Sequence, residues 1–195
     1  MSLRDEIVEV SKELLIKDGF SKISMRKIAK RVDVTATSIY LHFRNKEELL
    51  LALIEESIRN LNDSLLKVLS ATAEPPEQLE SLAKAYVNYA LNNPQEYEII
   101  YMVRPEEMPK YPKEKFRKVR DTYEILADII RRGKEKQIFD VENPLLSAYT
   151  IWAQIHGVVS VILSKRLDTR IPREQFLEQS IDHIVQAFVI QKTPA

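Results

Sequence analysis

Cysteine is absent from the 195 residues. That excludes a disulfide framework, a thiolate metal site and a thiol nucleophile. Glycine occurs three times, at Gly19, Gly133 and Gly157, too sparsely to build a phosphate-cradling loop. The three histidines, His42, His156 and His183, fall on three separate expected helices with no i,i+4 partner or paired carboxylate. They give no support to a metal site or a catalytic triad. An enzyme therefore has nothing positive behind it, and no cofactor is expected. No basic-then-apolar leader opens the chain, so a soluble, cytoplasmic protein is expected.

Apolar residues make up 45% of the chain, enough for a real core. Long stretches rich in Leu, Ile, Ala, Glu, Lys and Arg, with few turn residues, argue for an all-α fold of about nine helices. The first helix is expected from Ser2 to Asp18, with Asp5 completing a cap on Ser2, and Gly19 ends it. Phe20 and Ile23 should turn back into the core. Ser24 can cap a helix over Met25–Val32 and Thr35 another over Ala36–Phe43, each with apolar anchors four residues apart: Ile28 with Val32, Ile39 with Phe43. Asp33 and Val34 make the turn between them. Asn45 and Glu48 can cap a long helix from Lys46 to about Ser70, with Leu49, Leu50, Leu53, Ile54, Ile58, Leu61, Leu65 and Val68 apolar.

Pro75-Pro76 opens a further helix that stops at Asn92-Asn93-Pro94. Gln95 to Val103 is short and aromatic, Arg104 to Pro112 reads as a loop, and a long helix follows to about Gln137 with Phe116, Tyr123, Leu126 and Ile130 inward. From Asn143 to Ser164 there is no charged residue. Asn143, Ser147, Thr150, Gln154, His156 and Ser160 make this stretch too polar for lipid, so no membrane span is expected. A helix apolar on most sides needs cover on most sides. In a chain this small, one face suits the core and the other a second copy of the chain, with Trp152 and Val159 toward that copy. The last helix, Glu174 to Gln191, adds Leu177, Ile181, Ile184, Val185 and Phe188, and the pair reads as half of a four-helix dimer interface.

Formal net charge is zero, yet the charge is uneven. Between Ser21 and Lys46 stand Lys22, Arg26, Lys27, Lys30, Arg31, Arg44 and Lys46 against the single acid Asp33. A basic head on an acidic body suits contact with phosphate at one end. The helix from Ala36 has small residues at its start, Thr35, Ala36, Thr37 and Ser38, able to approach base edges in a major groove. Tyr40 and His42 can reach phosphate oxygens, as can Lys46 at the start of the next helix, and Arg26 can reach a guanine edge or the backbone.

Ile28-Ala29, Val34-Thr35, Ser38-Ile39-Tyr40, His42-Phe43 and Asn45-Lys46-Glu47-Glu48-Leu49 closely resemble the N-terminal domain of the tetracycline-repressor (TetR) family of bacterial regulators. Trp152-Ala153-Gln154-Ile155-His156-Gly157 resembles, less specifically, a Trp-x-x-x-His-Gly element of one subgroup's C-terminal domain. The resemblance implies a helix-turn-helix DNA-binding domain over 1–47 and a helical ligand-binding and dimerisation domain over 48–195. It also implies a homodimer on a palindromic double-stranded operator, acting as a repressor released by a small, largely apolar effector. Thr35, Thr37, Ser38, Tyr40, His42 and Lys46 fall where the family contacts DNA, and Arg26 where some members do. The family favours Gly at the turn, where this chain has Asp33. Tyr97, Tyr101, Tyr123, Trp152 and His156 are the candidates to line an effector cavity, with Gln154 and His156 as its orienting polar groups. The alternative is a helix-turn-helix regulator controlled by a partner protein.

Overall fold

The computed structural model describes residues 2–19, 22–69, 73–101 and 113–190, apart from the side chains of 113–119. The expectations for Phe20, the Arg104–Pro112 loop and Phe116 lie outside the described residues. Nine helices occupy the described residues: α1 (Leu3–Asp18), α2 (Met25–Val32), α3 (Ala36–Tyr40), α4 (Lys46–Lys67), α5 (Pro75–Asn92), α6 (Pro94–Tyr101), α7 (Lys113–Glu135), α8 (Pro144–Leu163) and α9 (Arg173–Gln186). Among those residues no strand occurs, and the single piece of β pairing is an isolated antiparallel bridge between Phe139 and Val189. The fold is all-α.

The chain forms two compact units. The first comprises Met1–Asn60 with Asn93–Lys118. Its helix starts follow the local chemistry read above. The Ser2 hydroxyl accepts from the Asp5 N–H at 3.2 Å, and the Asp5 carboxylate accepts from the Ser2 N–H at 3.0 Å. Ser24 and Thr35 accept from the N–H groups of Lys27 and Ser38, and Asn45 Oδ1 from that of Glu48 at 2.8 Å. The α3 helix stops at Tyr40, three residues short of the expected end. His42 and Phe43 both donate to the Ile39 carbonyl at 3.0 Å, which tightens the last turn. Ile39 and Phe43 are buried even so, and they hold this short helix against its neighbours.

The expected boundary after residue 47 is not where these units divide. Helix α6 packs on α1 within the first unit. Lys12 Nζ lies 2.9 Å from Glu96 Oε1 and 3.3 Å from Glu9 Oε1. The Asn60 side-chain amide donates to both Glu96 oxygens at 3.2 Å. The Lys12 and Glu96 side chains are only 10% and 15% exposed. Burial alone would lower the Lys12 pKa, but the hydrogen bond and charge of Glu96, with help from Glu9, raise it above its ordinary value. This ion pair joins residues 84 apart in sequence, so no local pattern announces it.

The second unit comprises Leu61–Asn92 with Val119–Ala195, so α4 begins in one unit and ends in the other. Here α5, α8 and α9 pack on one another, burying Leu79, Leu82, Ile151, Ile155, Ile181 and Ile184. In α4, Val68 lies beyond the helix end and is exposed. Helix α9 ends at Gln186 rather than Gln191 because the chain after it pairs elsewhere. The Asp140 N–H donates to the Phe188 carbonyl, and the Ile190 N–H to that of Ile138, both at 2.9 Å. Gly133 in α7 is where this segment comes close. A Cβ there would run into the buried ring of Phe139.

With glycine so scarce, three helices close on other residues in left-handed geometry: Asp33 after α2 (φ 58°), Gln137 after α7 (φ 57°) and Lys165 after α8 (φ 55°). In each case the following N–H reaches back five residues: Val34 to Ala29, Ile138 to Gly133, Arg166 to Val161. These are Schellman closures made without the glycine that makes them easy.

Helix α8 buries one stripe, Ala148, Ile151, Ile155 and Val159. Leu146, Tyr149, Thr150, Ala153, Gln154 and Gly157 are exposed. Val159 has no exposed surface at all. It belongs to the protomer's own core, not to the outward face where the sequence suggested it.

Candidate nucleic-acid interface

The α2–α3 pair presents its polar side outward because its apolar side is used up. Met25, Ile28, Ala29 and Val32 bury one face of α2, and Ile39 anchors α3. The turn between them is set by Asp33 in αL geometry (φ 58°, ψ 45°), a conformation that Asp tolerates better than most residues. Of the residues expected to meet DNA, Arg26, Thr35, Thr37, Tyr40 and His42 are exposed, while Ala36, Ser38 and Lys46 are half-buried. Two hydroxyls are already engaged. Thr35 Oγ1 and Ser38 Oγ lie 2.9 Å apart, and Thr35 also caps the helix. Thr37 carries an exposed aliphatic hydroxyl on the body of α3.

The positive charge of this region is partly held by α1. Lys27 Nζ sits 2.6 Å from an Asp18 oxygen, and Arg31 lies 3.8 Å from Glu13. The Lys27 hydrogen bond holds the Asp18 carboxyl below its ordinary pKa. No ion pair with a carboxylate engages Arg26, Lys30 or Arg44 among the described residues. These three, with Lys46, define the cationic surface around α3. At the start of α4 the Glu48 carboxylate accepts from the Arg44 N–H at 2.7 Å, which fixes the backbone between α3 and Lys46.

Sequence reasoning passed over Leu41. It directly follows α3 and is 82% exposed, beside a Tyr40 that is 51% exposed. Its signal was the position itself, four residues after Thr37, but an isolated leucine reads as core until burial is known.

The effector candidates fall in both units. Tyr97 and Tyr101 pair with each other on α6, ring centroids 5.0 Å apart, in the first unit. Tyr123, Trp152 and His156 come together in the second. The Tyr123 ring stacks on Tyr149 at 4.1 Å and meets the edge of Trp152 at 5.3 Å, and Trp152 stacks on His156 at 5.0 Å. Burial lowers the His156 pKa, favouring the neutral ring. Tyr123 and Trp152 line a cavity of about 10 Å³ together with Leu82, Tyr86, Thr122 and Ile155. The Thr122 hydroxyl donates to Asn62 Oδ1 at 2.7 Å. Gln154 faces outward, exposed.

A capped, left-handed turn between two short helices, with an exposed polar face on the second, defines a helix-turn-helix protein. Residues 7–53 match the family model described as bacterial regulatory proteins, tetR family. Residues 79–187, more than half of the chain, match the one described as tetracyclin repressor-like, C-terminal domain. The chain belongs to the TetR family and is a DNA-binding transcriptional regulator.

Solved structures share the whole fold. A protein of unknown function from Rhodococcus sp. RHA1 has 21% identity and a TM-score of 0.84, covering 97% of each chain. A bacterial regulatory protein in the tetR family from Rhodococcus RHA1 has 17% identity and a TM-score of 0.77, covering 98% of this chain and 100% of its own. The fatty acid degradation regulator FadR from Bacillus halodurans has 19% identity and a TM-score of 0.77, covering 93% and 94%.

Proposed function

We propose that the protein is a ligand-responsive repressor that binds a palindromic operator as a homodimer. The observation that carries this reading is the pairing of a reader too short to define a site with a long uncharged helix left half in water. One α3 reads half a site. The exposed side of α8, Leu146, Ala153 and Gly157 among it, is the face that a second copy would cover. Thr35 to Ser38 approach bases at the start of α3. Arg26, Tyr40, His42 and Lys46 hold phosphate or guanine.

The effector enters between α5, α7 and α8, against Tyr123, Trp152 and His156. A cavity of about 10 Å³ has room for about one water, whereas small-molecule sites run to roughly 300–1,000 Å³. Effector binding therefore requires these helices to part, and the effector acts by favouring that expanded state. Helix α4, continuous from Lys46 to Lys67, would carry the change to the head. An apolar effector suits the lining, and the similarity to a fatty acid degradation regulator favours the same class. The small cavity also favours a second reading, control by a partner protein.

In the deciding experiment, an operator is selected from random duplex DNA with the full chain. Binding is then measured at fixed moderate salt with and without a panel of neutral apolar compounds and fatty acids. Tyr40→Phe and Lys46→Ala should each weaken binding about tenfold, and equal binding would overturn the head assignment. Ala153→Glu should give monomers by sedimentation, and a persistent dimer would overturn the α8 face. Release of DNA by no compound in the panel would favour the partner-protein reading.

A further inference from the structure

We propose that Leu41 reads a thymine methyl group in each half-site of the operator. This rests on α3 being the base-reading helix and adds a specificity-determining residue to it. A single exposed leucine ordinarily carries no meaning; here its position does. The Leu41 N–H donates to the Thr37 carbonyl at 3.1 Å, and Leu41 keeps right-handed helical geometry (φ −68°, ψ −25°). Leu41 therefore stands one turn beyond Thr37 on the same face.

Packing does not explain it. The anchors of this segment are Ile39 and Phe43, both buried, and Leu41 is 82% exposed. Its neighbours His42 and Arg44 are exposed, and Lys46 is half-buried, so an apolar tip projects from a cationic surface. Thr35 and Ser38 direct their hydroxyls to each other and to the start of the helix. From Ala36 to Leu41 the exposed side chains are Thr37, Tyr40 and Leu41. An aliphatic side chain cannot read a donor or acceptor, and the apolar group on a major-groove base edge is the C5 methyl of thymine.

The test replaces thymine by deoxyuridine, which lacks only that methyl, at symmetric positions of a selected operator. Wild type should weaken at one such pair of positions by about fourfold per half-site, the worth of one buried methyl. Leu41→Ala should lose the same amount on the thymine duplex and nothing further on the deoxyuridine duplex. A loss of equal size on both duplexes, or on unselected DNA, would mean a sugar or backbone contact and overturn the proposal. Thr37→Ala serves as the control. If Thr37→Ala weakens binding and Leu41→Ala does not, the role of Leu41 alone fails. If neither weakens it, the assignment of α3 as reader fails with it.

Discussion

Five residues make α3 and twenty make α8, and both bury only a small part of themselves: Ile39 in the first, Ala148, Ile151, Ile155 and Val159 in the second. The outward faces differ in kind. That of α3 is hydroxyl and phenol, with one leucine just beyond it, on cationic ground. That of α8 carries no charge from end to end. A five-residue helix cannot stand alone, since nucleation is costly; α3 exists because Ile39 and Phe43 are held from behind. Helix α8 meets the opposite problem. It forms readily, and its exposed apolar face then needs cover. The polar face suits a strongly hydrated, anionic partner and the uncharged face suits protein.

The comparison breaks most visibly at the anchors. Ile39→Ala removes the buried hold on α3 and should cost about 3 kcal/mol of stability, read as a drop in thermal midpoint, with DNA binding lost in proportion. If stability holds, α3 is fixed by its caps and not by its anchor. Next comes the ion pair of the first unit. Glu96→Gln leaves Lys12 largely buried beside Glu9 and should cost about 2 kcal/mol, checked by urea titration at pH 7.

The pH dependence of that pair has a definite sign. The folded-state pKa of Lys12 is raised above its ordinary value, so its contribution is complete below that value and is lost as pH rises through the raised one. Lys12→Met should therefore flatten the alkaline end of the stability profile. A profile parallel to wild type would remove the pair from the alkaline transition.

Smaller effects sharpen the contrast. A Cβ at Gly157 meets nothing within 4 Å in the protomer. Gly157→Ala should thus stabilise the monomer by about 0.5–1 kcal/mol through helix propensity, and a clash with a second copy would appear as a raised dimer dissociation constant. Lys165→Gly relieves a left-handed residue at the end of α8 and should stabilise by about 0.5–1 kcal/mol. A loss on calorimetry would mean that the lysine side chain contributes more than its backbone strain costs.

Much of the head was legible because its signals are local. Caps at Ser2, Ser24, Thr35 and Asn45 act over three residues, and anchors recur every four. Periodicity also places α8 correctly, but it cannot say which apolar residues turn inward, so Val159 was read on the wrong side. The ends of α3 and α9 were overrun because a propensity pattern continues where a tightened turn, or a bridge to Phe139, has already claimed the backbone. Leu41 was missed because its meaning lies in being exposed. Spacing along helices is also silent about which unit each of the five aromatic candidates joins.

The all-α class, the helix-turn-helix, the uneven charge and the uncharged α8 follow from the order of residues alone, since each rests on interactions within a few positions. That α6 belongs with α1, that Lys12 and Glu96 meet across 84 residues, that Tyr123 lies between Tyr149 and Trp152, and that one leucine stands outside its core were decided by tertiary structure. Those outcomes depend on long-range packing and desolvation, which no local window of sequence contains.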